Sequence, residues 1–114
     1  MVKNLVFDYM WGDDKVTHVE IKEGVVTFKN YTDDLIARAF GIRDSVALDY
    51  VDKFFEDRCF PRTRKSAKRL LKELDVPYYE PLLICKKTHG VMHGDLNWIR
   101  FEGENLTWKD VKVF

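Results

Sequence analysis

The sequence predicts an α+β fold: an N-terminal three-stranded antiparallel meander packed against a helical C-terminal part of three to four helices. Two tight turns near the start, Gly12-Asp13-Asp14 and Glu23-Gly24, separate three short β-rich runs. After residue 31 the apolar spacing changes from two to between three and four, the period of a helix face. The length of 114 residues and the 46% hydrophobic content suit one domain with a core of its own. The expected division is meander 1–30, helical part 31–90, and a strand with a terminal turn over 91–114.

Residues 2–10 are rich in Val, Leu, Phe and Tyr and read as the first strand. In 15–22, Val16, Val19 and Ile21 face one way and Glu20 and Lys22 the other, with His18 out of step. Val25 to Lys29 is the third strand. Thr32 is placed to cap a short helix over 31–41, with Asp33 and Asp34 in its first turn, an apolar face of Leu35, Ile36, Ala39 and Phe40, and Gly41 as its stop. Ser45 is placed to cap a helix over 46–57. Its inner face is Ala47, Tyr50, Val51, Phe54 and Phe55, and its outer face is acidic through Asp49, Asp52 and Glu56.

Pro61 ends that helix and Thr63 is placed to cap the next, 64–74. There Ala67, Leu70, Leu71 and Leu74 form one face, and Lys65, Lys68, Arg69 and Lys72 the opposite one. The two helices are expected to pack apolar face to apolar face. A third helix, 80–88, points Leu82, Leu83 and Cys85 inward and stops at Gly90. Trp98 to Phe101 reads as a short late strand added to the sheet, and Thr107 caps a final turn.

Nineteen basic and nineteen acidic side chains cancel, but they are not mixed. Residues 1–57 hold twelve acids and seven bases, a net of −5; residues 58–114 hold twelve bases and seven acids, a net of +5. Arg58, Arg62, Arg64, Lys65, Lys68, Arg69 and Lys72 follow one another without an intervening acid. Such a run is the natural contact surface for an anionic partner, either an acidic protein or a nucleic acid lying on helix 64–74. Arginine suits this role because its planar guanidinium pairs with carboxylate or phosphate through two parallel bonds. The alternative is a solvated lysine face whose arginines pair with Asp52, Glu56 or Asp57 of the preceding helix.

Other chemistry-bearing groups point nowhere definite. Cys85, His89, His93 and Asp95 carry metal-capable atoms, but Gly90 and Gly94 interrupt any helix that would align them, and no CxxC or HExxH is present. No metal and no cofactor is expected. His93-Gly94-Asp95-Leu96-Asn97 is similar to the catalytic loop of aminoglycoside-phosphotransferase-like kinases, yet the position that should hold a magnesium-binding Asn is Arg100. Cys59 lies between Arg58 and Arg62 without a histidine nearby, so a catalytic thiolate is not expected. No catalytic residues are assigned, and the reading is non-enzymatic. No apolar run reaches the roughly 20 residues that cross a bilayer. With only two cysteines, a cytoplasmic address with reduced thiols is the expectation.

The string FxxRCFPRTR, a Leu-rich basic helix, YYEPLLICKKTHG and DxxWIRF resembles an uncharacterised small-protein family of Firmicutes mobile elements. It is also similar to the N-terminal segment of some HipA-like kinase proteins. The positions that carry the resemblance are Arg58, Pro61, Arg64, Asp95 and Trp98. It implies a freestanding accessory module without the kinase. The habitat implies an inhibitor of a host protein, such as an anti-CRISPR acting on an effector nuclease. The alternatives are a nucleic-acid-binding regulator using helix 64–74 and an accessory module of HipA-type toxin systems.

Overall fold

The computed structural model describes residues 3–112. Val2, where the first strand was expected to begin, lies outside them. The described residues form an α+β fold in the order β1 (Leu5–Trp11), β2 (Asp14–Lys22), β3 (Val25–Asn30), α1 (Leu48–Asp57), α2 (Ala67–Glu73), α3 (Pro81–Thr88), β4 (Asn97–Phe101) and α4 (Trp108–Val111). The meander is as expected, and β4 joins its free side, giving an antiparallel sheet in the order β3-β2-β1-β4.

The turn between β2 and β3 works because Glu23 and Gly24 both take positive φ, 52° and 79°, the pairing that matches the twist of a two-residue hairpin. Between β1 and β2 the register slips: Tyr9 faces Thr17 but Met10 faces Lys15. Val16 is the extra residue of a β-bulge, and Val16 and Thr17 are both buried. The bulge explains why His18 broke the alternation.

The core lies between the sheet and the helices. Phe7 and Tyr9 of β1 meet Phe54 and Phe55 of α1, with ring centroids 5.1 Å apart for Phe7–Phe55 and 5.0 Å for Tyr9–Phe54. Phe40 closes one end against Phe28 and Phe54. The opposite face of the sheet carries Asp8, Met10 and Trp98, alternate to the core positions. Met10 and Trp98 face each other across β1 and β4 and are both fully buried, and the Trp98 indole N–H donates to the Gly12 carbonyl at 2.6 Å.

Four expectations need correction. Residues 35–42 are turns, not a helix. Asp34 caps the Ile36 N–H, Arg38 bonds the Thr32 carbonyl, and the buried Thr17 hydroxyl accepts from the Ala39 N–H, so local and tertiary bonds displace the helical ladder. Of the expected apolar face, Phe40 is buried and Leu35 and Ile36 are exposed, Ile36 to 93%. Helix α1 starts at Leu48 with Ala47, not Ser45, at its N-cap. Helix α2 is shorter than 64–74, because the bonds Arg64 N–H to Pro61 O and Ala67 N–H to Arg64 O span only three residues and spend its intended first turn on a tight bend. Finally, α1 packs on α3, not on α2. No residue of α2 is fully buried.

Helix α3 forms where expected, but its buried residues are Leu82, Ile84 and Cys85, with Leu83 only half-buried. Pro81 occupies the first turn, the Glu80 side chain caps the Leu82 N–H, and His89 and Gly90 turn left-handed at its end. Gly90 is tightly placed: a Cβ there would stand 2.9 Å from Ile99 Cδ1. At the start of α4 the Asp110 carboxylate accepts from the Thr107 backbone N–H at 2.8 Å and from its hydroxyl at 3.0 Å.

Candidate interaction surface

The seven cations of the basic run divide into two groups. Arg58, at the C-cap of α1, turns inward, and its side chain is 10% exposed. Its guanidinium donates to Asp95 through two parallel bonds of 2.9 and 3.0 Å, to the Gly90 carbonyl at 2.9 Å and to the Asn97 carbonyl at 2.9 Å. It also lies 5.8 Å from the Tyr9 ring centroid. Three segments distant in sequence are thus tied to one planar group. The expected role of Arg58 in meeting a partner is corrected: its donors are engaged inside the protein.

Asp95 is the other half of this anchor. Burial alone would raise its carboxyl, but the Arg58 bonds and charge, with the Asn97 N–H, hold it below the usual carboxylate range. Burial pushes the neighbouring Tyr9 hydroxyl up to about 12, against the opposing pull of Arg58. The kinase-like string therefore has a structural account. Asp95 is paired with Arg58, and the buried Asn97 amide donates to the Met10 carbonyl at 3.1 Å.

The remaining six cations, Arg62, Arg64, Lys65, Lys68, Arg69 and Lys72, are exposed. They lie along the turn after Cys59 and the outer side of α2, whose half-buried Ala67, Leu70, Leu71 and Leu74 face the body of the protein. Arg62 stacks on Tyr79, 4.6 Å from its ring centroid. Arg69 meets Glu73 one turn on at 3.7 Å, an exposed pair. Among the described residues no salt bridge joins these six to Asp49, Asp52, Glu56 or Asp57 of α1. Of the solvated-face alternative, the exposed lysines are present, and the pairing of its arginines with Asp52, Glu56 or Asp57 is not formed among the described residues. Between this ridge and residues 91–93 runs an open cleft of about 410 Å³ lined by Arg58, Phe60, Pro61, Arg64, Met92 and His93.

The metal-capable side chains are not gathered. Cys85 is buried beside Cys59, and His89 pairs with Glu104 at 2.8 Å. Among the described residues no group of three potential metal ligands forms.

One polar cluster escaped the sequence reading. On the sheet face opposite Phe7 and Tyr9, Asp8 accepts from His18 Nδ1 at 2.6 Å and from Arg100 at 3.3 Å, with Lys15 Nζ at 3.9 Å. Glu20 stands 3.4 Å from His18 Nε2. The register requires this meeting, since β1 is the middle strand and Asp8 lies opposite both His18 and Arg100. Its signals were an Asp inside an apolar strand and a His out of step in the next. Asp8 bonds groups on β2 and β4, so the cluster ties three strands together.

No protein-family model, curated protein or solved structure matches this chain.

Proposed function

We propose that this protein is a non-enzymatic interaction module whose cationic ridge, Arg62, Arg64, Lys65, Lys68, Arg69 and Lys72, docks on an acidic surface of a partner protein. The observation that carries this reading is the exposure of six cations on one turn and helix, with Arg69–Glu73 as the one ion pair they make among the described residues. Concentrated, unneutralised charge of one sign raises encounter rates with an opposite surface and disfavours partners of like charge. The fixed arginines add geometry, because Arg62 is already stacked on Tyr79 and gives up less side-chain freedom on binding. The family resemblance extends the proposal: the partner is a host protein, and the module is an inhibitor carried by a mobile element, in the manner of an anti-CRISPR.

Replacing Lys65, Lys68, Arg69 and Lys72 with Glu tests the ridge. Affinity capture from the native host, followed by reconstitution with the recovered protein, should give a complex with the natural protein and none with the variant. Equal recovery by both would remove the ridge from the account. A nucleic acid would meet the same cations, and a salt titration separates the two partners. Contact with several phosphates costs affinity steeply as salt rises, with a log–log slope of about −0.9 per phosphate. The expected result is no duplex or single-strand binding even at low salt; a steep salt-dependent isotherm would move the ridge to nucleic-acid recognition.

A further inference from the structure

Two thiols that the proposed function does not use meet in the core. Cys59 follows the C-cap of α1, Cys85 lies on α3, and their sulfurs are 3.7 Å apart although 26 residues separate them in sequence. Both thiols are free and buried. Both point at one acceptor, the Phe55 carbonyl, with Cys59 donating at 3.1 Å and Cys85 at 3.5 Å. That carbonyl also receives the Arg58 backbone N–H at 3.0 Å, so removing both S–H donors leaves it bonded. The two sulfurs do not have equal access: Cys59 lines the open cleft beside the cationic ridge, and Cys85 does not.

We propose that Cys59 and Cys85 form a two-thiol oxidation site that reacts with hydroperoxide entering through this cleft and closes to a disulfide clamping α1 to α3. In the first step the Cys59 sulfur attacks the peroxide O–O bond, giving a sulfenic acid and releasing water. In the second the Cys85 sulfur displaces the sulfenyl hydroxyl, which leaves as a second water. Two thiols lose two electrons and two protons, and one molecule of hydrogen peroxide is reduced to two waters. Cys85 is disfavoured as the first attacker, because its hydrogen bond with Cys59 and its burial both push its thiol up; in the second step its proton leaves with the sulfenyl hydroxyl as water. The closed bond would fix the segment from which the basic turn departs, since Cys59 precedes that turn directly.

The test treats the folded, reduced protein with hydrogen peroxide, blocks remaining thiols by alkylation, and reads intact mass and a non-reducing peptide map. The expected result is joint loss of both alkylation sites, a linked peptide pair containing Cys59 and Cys85, reversal by dithiothreitol, and a higher melting temperature. In C85S the expected product is a dimedone-reactive sulfenic acid at Cys59, while in C59S Cys85 stays reduced. Two outcomes overturn the proposal, and neither depends on a variant folding: both thiols remaining alkylatable after peroxide treatment of the native protein, or Cys59 passing to sulfinic acid while Cys85 stays free.

Discussion

Arg58 and Arg62 stand four residues apart in the same basic run, and they have opposite fates. Arg58 is enclosed by Asp95, by the Gly90 and Asn97 carbonyls and by the Tyr9 ring. Arg62 and the cations after it lie open on the surface. Charge type and spacing do not separate them. What separates them is whether a carboxylate and free carbonyls, brought from elsewhere in the chain, close over the guanidinium. One end of the run therefore holds the fold together, and the other is available to a partner. Substitutions in the two regions should have opposite signatures, stability without binding for the first and binding without stability for the second.

The largest stability effect is expected from Arg58→Ala. It removes the charge-assisted bonds to Asp95 and to the Gly90 and Asn97 carbonyls, a part-buried set whose loss costs about 2–3 kcal/mol. Chemical denaturation should show a midpoint shift of that size. A loss under about 1 kcal/mol would put Arg58 back with the exposed cations. Gly90→Ala strikes the same anchor from the backbone side. Its φ of 65° and the 2.9 Å approach to Ile99 predict a cost of about 1–3 kcal/mol by the same assay.

The pH dependence follows from the same residues. Asp95 has a folded carboxyl held below its ordinary value of 3.8, so its contribution is present above about pH 4 and is lost as pH falls through the depressed value. Tyr9 shifts the other way. With its hydroxyl raised from 10.0 to about 12, its contribution is present below pH 10 and is lost as pH rises between 10 and 12. Melting temperature against pH should fall at both ends, and Asp95→Asn and Tyr9→Phe should each flatten one limb. A profile unchanged in both variants would detach these groups from the anchor. The smallest stability effect belongs to the ridge. Arg69→Ala removes an exposed pair and should change stability by at most about 0.5 kcal/mol.

The strands were legible because turn chemistry is local: Glu23-Gly24 prescribes its hairpin within two residues. The bulge at Val16 was not, since an extra residue leaves only an irregular alternation in the sequence. The helix expected at Thr32 gave way to local bonds from Asp34 and Arg38 and to a non-local one, the Thr17 hydroxyl fifteen residues upstream of Thr32. Helix α2 was visible by its period, but its partner was not, because apolar spacing marks a face without naming what covers it. Among the candidate site residues the same limit applies. Six cations lie outward as their spacing implied, while the fate of Arg58 was set by Asp95, 37 residues on.

The most direct test compares binding of the recovered host protein by the natural chain and by the variant with Lys65, Lys68, Arg69 and Lys72 changed to Glu, with melting temperature recorded alongside. The account predicts an affinity loss of at least about tenfold with the melting temperature unchanged. Equal affinity, or a loss accompanied by unfolding, would contradict it.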